Sequence, residues 1–223
     1  MNEKRKAIAI DGPAGAGKST IAKIVARKLG YIYVDTGAMF RSMALGCLRK
    51  GIDVTDEEAV CSAVDDLDVT LGYEGEQQIV YLNGENVNAI IRTEEVGNAT
   101  STIAVYAKVR EKLLQLQREL ATKENVVMDG RDIGSTVLPN ADTKIYLTAS
   151  SEVRAKRRAL ELEERGENCD VLKVQKDIEE RDYRDSHRAV SPLTQAEDAV
   201  LVDASDLSIV EVADHILEIA HER

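Results

Sequence analysis

Residues 8–20 read IAIDGPAGAGKST, an apolar run that stops at Asp11 and gives way to three glycines within six residues, Lys18 and two hydroxyls. A short run that is apolar throughout predicts a strand buried on both faces. Ile21, Ile24, Val25 and Leu29 then recur at helical spacing as far as Gly30, a helix stop. Between strand and helix, Gly12-Pro13-Ala14-Gly15-Ala16-Gly17-Lys18-Ser19 fits G-x-x-x-x-G-K-[ST] at every position. Glycines open main-chain N–H groups to an anion, and the lysine adds a point charge on a flexible stem. The segment Gly12 to Thr20 is therefore expected to wrap phosphates at a helix N-terminus, with Lys18 on the β- and γ-phosphates and Ser19 on Mg²⁺. A dinucleotide-binding loop is excluded by Thr20, which stands where that pattern needs its third glycine.

The rest of the chain repeats the strand-then-helix alternation. YIYVD (31–35), NVVMD (125–129), TKIYL (143–147) and AVLVD (199–203) are short apolar strands like 7–10. Met39, Phe40, Met43 and Leu48 mark a helix ending near Gly51, and Thr55 with Glu58 is spaced as a capping box opening a helix through about Leu67. Val109, Leu113, Leu116 and Leu120 mark a long helix from about Ala104, 151–185 is a charged helical stretch, and Ser208 with Glu211 opens a last helix. Five such strands alternating with helices predict an α/β fold, a parallel sheet covered on both faces. Residues 68–92 differ, with strand-like runs broken at Glu74-Gly75 and Asn83-Gly84, the second a hairpin signal, so a β-hairpin insert is expected there.

Composition narrows the function. With 223 residues and 43% hydrophobic content, the chain fits one domain; aromatics at 4% and no Trp leave an aliphatic core without base-stacking platforms. A net charge of −11 repels nucleic acid and anionic membrane at long range but not a small anion met by a few placed cations. Cys47, Cys61 and Cys169 are scattered and odd in number, and the apolar run behind the basic start MNEKRK is too short for a signal peptide. A cytoplasmic protein is expected.

Asp129, ending its strand, is placed as the magnesium-side carboxylate, yet Gly130 follows it where many ATPases carry a water-polarising Glu. Lys144 and its neighbours in TKIY lack the aspartate that reads guanine, so hydrolytic switches recede and phosphoryl transfer to a small acceptor remains. Transfer relies on positioning and on cations, and Arg41, Arg131, Arg154, Arg157, Arg158, Arg181, Arg184 and Arg188 cluster after strands or in one late stretch. For Arg154, Arg165 or Arg184 alone a surface ion pair is the plainer reading.

GPAGAGKST, DTGAMFR (35–41), DGRDIG (129–134) and RDYRDSHRAVSPL (181–193), in that order, make the chain resemble the bacterial cytidylate kinases almost end to end. The resemblance implies a P-loop kinase with a five-stranded parallel sheet, a small β-rich insert for the nucleoside monophosphate and a helical lid, arranged as core 1–36, 101–150 and 186–223, insert region 37–100 and lid 151–185. It implies transfer of the γ-phosphoryl of ATP to CMP or dCMP with Mg²⁺ held at Ser19 and Asp129. Carried over by position, Thr36, Arg41, Ser101, Arg110, Arg131, Asp132, Arg181, Asp185 and Arg188 surround CMP; Lys18, Arg131, Arg181 and Arg188 serve transfer, and Arg157 joins the ATP site. Ser101, Arg110 and Asp132 read cytosine, whose N4 donor and N3 acceptor complement a carboxylate and a cation, whereas uracil reverses both. Phe40 and Thr36 depart from the Tyr and Ser frequent in that family. His187 is read as lid packing or surface. A monomer is expected, and a kinase of another monophosphate or small metabolite is the alternative.

Overall fold

A computed structural model describes residues 5–75, 77–164, 166 and 168–223; residues 1–4 of the basic start, Glu76, Arg165 and Glu167 lie outside the described residues. The central sheet is parallel throughout, in the order β2 (Ile32–Asp35), β6 (Val126–Gly130), β1 (Ala7–Asp11), β7 (Thr143–Thr148), β8 (Val200–Asp203). Strand alternation sorts the side chains by face. Ala7, Ala9, Val34, Val126 and Met128 pack against α2 (Thr36–Arg49) and α5 (Ala107–Lys123). Ile8, Ile10, Tyr33, Val127, Ile145, Leu147 and Val202 pack against α1 (Lys18–Leu29) and α8 (Ile209–His221). Small alanines on the first face of β1 and branched isoleucines on the second let the two helical layers sit at different depths. Register aligns the strand ends: Asp11 pairs with Gly130 and Tyr146, and Asp35 with Asp129. Three buried aspartates thus stand along the carboxyl edge, where ligands bind in such sheets.

The insert is a three-stranded antiparallel sheet, β3 (Val69–Glu74), β4 (Gln77–Leu82) and β5 (Glu85–Asn86). Asn83 and Gly84 both take positive φ, 50° and 81°, so the expected two-residue turn joins β4 to β5. The capping box expected at Thr55 and Glu58 does not form. Asp53 Oδ1 captures both the Thr55 N–H and its hydroxyl, so Asp56 caps α3 (Glu57–Ala63) instead, accepting from Ala59 N. A helix absent from the sequence reading, α4 (Glu94–Ile103), follows the insert behind the Thr93 cap, and the long helix expected from about Ala104 begins at Ala107. The charged stretch 151–185 is two helices, α6 (Ser151–Glu164) and α7 (Val171–His187). No helix among the described residues is long and apolar enough to cross a membrane.

Candidate active site

The glycine loop leaves β1 and ends at Gly17, whose φ of 89° opens α1 with no side-chain cap, so the first N–H groups of the helix stay free for a ligand. Gly12 allows no substitute: a Cβ there would lie 1.9 Å from Leu147 O, the main chain of β7. Lys18 Nζ lies 2.6 Å from Pro13 O inside its own loop. Burial first, and then the Arg131 charge, push the Lys18 pKa well below its usual value, which favours an arriving anion. Ser19 Oγ donates to Asp129 Oδ2 at 2.9 Å, and Tyr33 OH donates to Oδ1 at 2.9 Å. Burial and the nearby Asp35 raise the Asp129 carboxyl to about 6, against the pull of Lys18. The Ser19 hydroxyl and the Asp129 carboxylate are adjacent hard oxygen donors, which suits a Mg²⁺ that keeps most of its shell for water and phosphate.

Across from the loop lies a second, cationic half. Arg41 Nη2 pairs with Asp35 Oδ2 at 3.0 Å, and Arg131 Nε donates to Asp185 Oδ2 at 2.9 Å. Arg181 is half-buried on α7, and its pKa is lowered by desolvation and then by Arg131, against Asp185 and with Arg41. The like charges acting on Arg181 mark guanidinium groups crowded around one space. Arg41 Nε, Arg181 Nε and Arg188 Nη2 are buried with no hydrogen-bond partner. Buried donors left unpaired are costly, and an oxyanion is the group that would satisfy them.

Beside these arginines a cleft of about 240 Å³ opens between α2, α5 and the turn after β6, lined by Thr36, Phe40, Arg110, Leu114, Asp132 and Val137 among others. Arg110 Nη2 pairs with Asp132 Oδ2, Arg188 Nη2 lies 3.5 Å from Oδ1, and the Arg110 guanidinium stands 5.6 Å from the centre of the Phe40 ring. The turn carrying Asp132 is wide: Val137 N–H reaches Asp132 O at 3.1 Å and Leu138 N–H reaches Ile133 O at 2.7 Å, both i to i+5. The N–H groups of Ile133 and Gly134, the first two of that turn, hold Asp11, each at 2.7 Å. Burial raises the Asp11 carboxyl to about 6 although both N–H groups oppose it.

A model of the cytidylate kinase family matches residues 8–222. The chain belongs to that family. Curated relatives named cytidylate kinase include one from Bacillus licheniformis, 50% identical over 99% of this chain and 98% of that protein. Another, from Desulforamulus reducens, is 52% identical over 96% of each. Among solved structures, a shikimate kinase from Bacteroides thetaiotaomicron shares the fold at a TM-score of 0.52 and 17% identity, covering 97% of this chain and 98% of that one.

Of the residues singled out for this kinase's site, Arg41, Arg110, Arg131, Asp132, Arg181, Asp185 and Arg188 come together in the cationic half, with Thr36 at its edge donating to Asp129 O at 2.8 Å. Ser101 stands apart on α4, where its hydroxyl donates to Gly97 O at 3.3 Å and does not line the cleft. Arg157 is engaged at the carboxyl end of the edge strand β8, donating to Ala204 O at 2.7 Å. His187 is exposed and stacks on Tyr183, as a surface residue does. Arg154 corrects the sequence reading: it is buried, not a surface ion pair, and donates to Ala14 O in the glycine loop at 2.9 Å. Arg184 is exposed as expected. Sequence reasoning missed Asp11, Tyr33 and Asp35; the only signal was that the aspartates close their strands, as Asp129 does.

Proposed function

We infer that the two halves hold two nucleotides, ATP on the glycine loop and CMP or dCMP in the cleft, for direct transfer of the γ-phosphoryl group. The observation that carries this is the set of buried guanidinium nitrogens without a hydrogen-bond partner, Nε of Arg41, Nε of Arg181 and Nη2 of Arg188, the last 3.5 Å from an Asp132 oxygen, on side chains grouped around Arg131, which is itself beside Lys18. In this reading the main-chain N–H groups of residues 12 and 14–17 cradle the triphosphate, and Lys18 exchanges Pro13 O for a phosphate oxygen. Ser19 and Asp129 would hold Mg²⁺, which supplies charge neutralisation on the phosphates when bound. Arg41, Arg131, Arg181 and Arg188 hold the acceptor phosphate and the charge spread over the group in transit. Arg110 and Asp132 read the cytosine edge, Asp185 and Arg181 take the sugar, and Ser101 and Arg157 are reached only if α4 and the lid, 151–185, move inward on closure. The acceptor phosphate is already ionised, so no general base is needed.

Transfer is favoured over hydrolysis by a steric detail. A Cβ at Gly130 would stand 2.6 Å from Ile133 Cδ1 and 2.8 Å from Thr36 Oγ1, so a water-polarising side chain behind Asp129 would have to displace Ile133 and Thr36. Three free thiols among the described residues accord with a reducing, cytoplasmic setting, and we take the chain as a monomer. The test is coupled ADP detection with CMP, dCMP, UMP, AMP, dTMP and shikimate. CMP and dCMP are expected to lead; preference for AMP or shikimate would overturn the assignment.

A further inference from the structure

Helix α7 looks two ways. Arg181 and Asp185, one turn apart, turn to the acceptor half, where Asp185 takes Arg131 Nε. Asp182 turns to the other side, with Oδ2 2.7 Å from Arg154 Nη2. Arg154, in the first turn of α6, is only 5% exposed, and its remaining donors end on main-chain carbonyls. Nε reaches Ala149 O just past β7 at 2.8 Å, and Nη1 reaches Ala14 O in the glycine loop at 2.9 Å. The stem also touches the loop, since a Cβ built on Gly15 would lie 3.4 Å from Arg154 Cβ. One planar guanidinium therefore joins the triphosphate loop, the end of a core strand and the lid helix. On the lid side Asp182 Oδ1 is buried with no partner, an acceptor still to be used. Tyr146 on β7 borders the same cluster: burial and then Asp182 raise its phenol pKa, while Arg131 and Arg154 oppose.

We propose that the Arg154–Asp182 pair couples the two nucleotide sites. When a triphosphate enters, any shift of the Ala14–Gly15 backbone is passed to Arg154, and through Asp182 to α7, which sets Arg181 and Asp185 against the acceptor. Arg154 and Asp182 are positioning residues. A lysine cannot replace Arg154, because a single ammonium lacks the planar fork that reaches three acceptors lying in different directions. By linkage the effect is reciprocal: CMP tightens the triphosphate by the factor by which the triphosphate tightens CMP. The proposal rests on the ATP and CMP assignment above.

Calorimetric titration of CMP, with and without a saturating non-hydrolysable ATP analogue and Mg²⁺, tests it on wild type, Asp182→Asn and Arg154→Lys. In wild type the analogue is expected to tighten CMP at least about fivefold, the lower end of ordinary coupling. Asp182→Asn, isosteric and folded by its melting curve, keeps the CMP affinity seen without analogue while the ratio falls to about one. Arg154→Lys lowers the ratio in the same way. A ratio in Asp182→Asn equal to wild type overturns the proposal, as does a parallel loss of both affinities, which is what a merely structural pair would give. Wild type that binds CMP without any coupling sinks the linkage alone; wild type that binds no CMP sinks the site assignment and the linkage with it.

Discussion

Asp132→Asn is the most informative single change, because it alters one charge at the point where base identity would be read. Asp132 is 5% exposed, and its carboxylate lies between Arg110 and Arg188. Cytosine offers it the N4 amino group, a charge-assisted hydrogen bond worth about 1.5–3 kcal/mol. Asparagine keeps an acceptor for N4 but not the charge, a difference of about 1–1.5 kcal/mol, which at about 1.4 kcal/mol per factor of ten lowers kcat/KM for CMP roughly 5- to 12-fold. UMP gains from the same change, since an amide can also donate to O4, so the CMP-to-UMP ratio falls by at least that factor. The neighbours are held independently: Arg110 Nη1 still reaches Ala104 O at 3.0 Å, and Arg188 Nε still reaches Ser191 O at 2.6 Å. Two guanidinium groups do lose their counter-charge, at about 1–3 kcal/mol, or a few degrees of Tm for a chain of this size. Initial rates at 25 °C by coupled ADP detection, with the melting curve as control, give the answer. A folded variant whose CMP-to-UMP ratio stays within about twofold of wild type would refute the reasoning, because base selection would then have to reside elsewhere.

Other perturbations separate the remaining roles. Lys18→Ala and Arg131→Ala each remove a cation facing the transferring group, and turnover should fall by about 100- to 1000-fold with the fold intact; full activity in either purified variant would count against the site. Asp129 has a folded pKa raised from 3.8 to about 6, so its ionisation works against folding as pH rises through that window. Without Mg²⁺, the Tm of Asp129→Asn is accordingly expected to exceed that of wild type by a margin that grows from about pH 4 to about pH 6 and then levels off; a margin that shrinks with pH reverses the sign. In active wild type the same titration gives kcat/KM an acid limb near pH 6 that moves lower as Mg²⁺ is raised. Gly12→Ala sets a Cβ 1.9 Å from Leu147 O, a strand carbonyl that cannot swing aside, and should lower stability by about 3 kcal/mol or more in urea unfolding.

What was legible in the sequence is what local chemistry decides. The strands are short apolar runs, the loop is a fixed string, and Asn83-Gly84 takes its turn because both residues tolerate positive φ. Helix α4 escaped because its buried face is Val96, Ala99, Thr100 and Ile103, two of them too small or too polar to register as an apolar stripe. At residues 53–56 several capping side chains stand almost side by side, and the cap falls to Asp56 because Thr55 is held by Asp53. Arg154 looked like any helix-surface arginine because its partners, Ala14 and Asp182, lie on other elements. Asp11 likewise finds its donors at Ile133 and Gly134, across the sheet edge. Pairings of that range are set by strand order, which a linear pattern of residues does not carry.

The same pairings explain how an acidic chain keeps a cluster of cations ready for an anion. Buried guanidinium groups without counter-charge would strain the fold, so the acceptor half supplies carboxylates: Asp35 to Arg41, Asp185 to Arg131, Asp132 to Arg110 and Arg188. Burial pushes the Asp185 pKa up, yet Arg131 and its neighbours overcome this and leave it below the usual value, so that partner stays ionised. These contacts do not use every donor. Nε of Arg41 and of Arg181 have no hydrogen-bond partner, and they are the margin by which a phosphate can improve on the aspartates already present. A monovalent anion with one or two acceptor oxygens cannot satisfy several guanidinium groups at once, whereas a phosphate can. Selectivity then follows from competition with built-in carboxylates, and the net charge of −11, which repels polyanions at long range, does not weaken it.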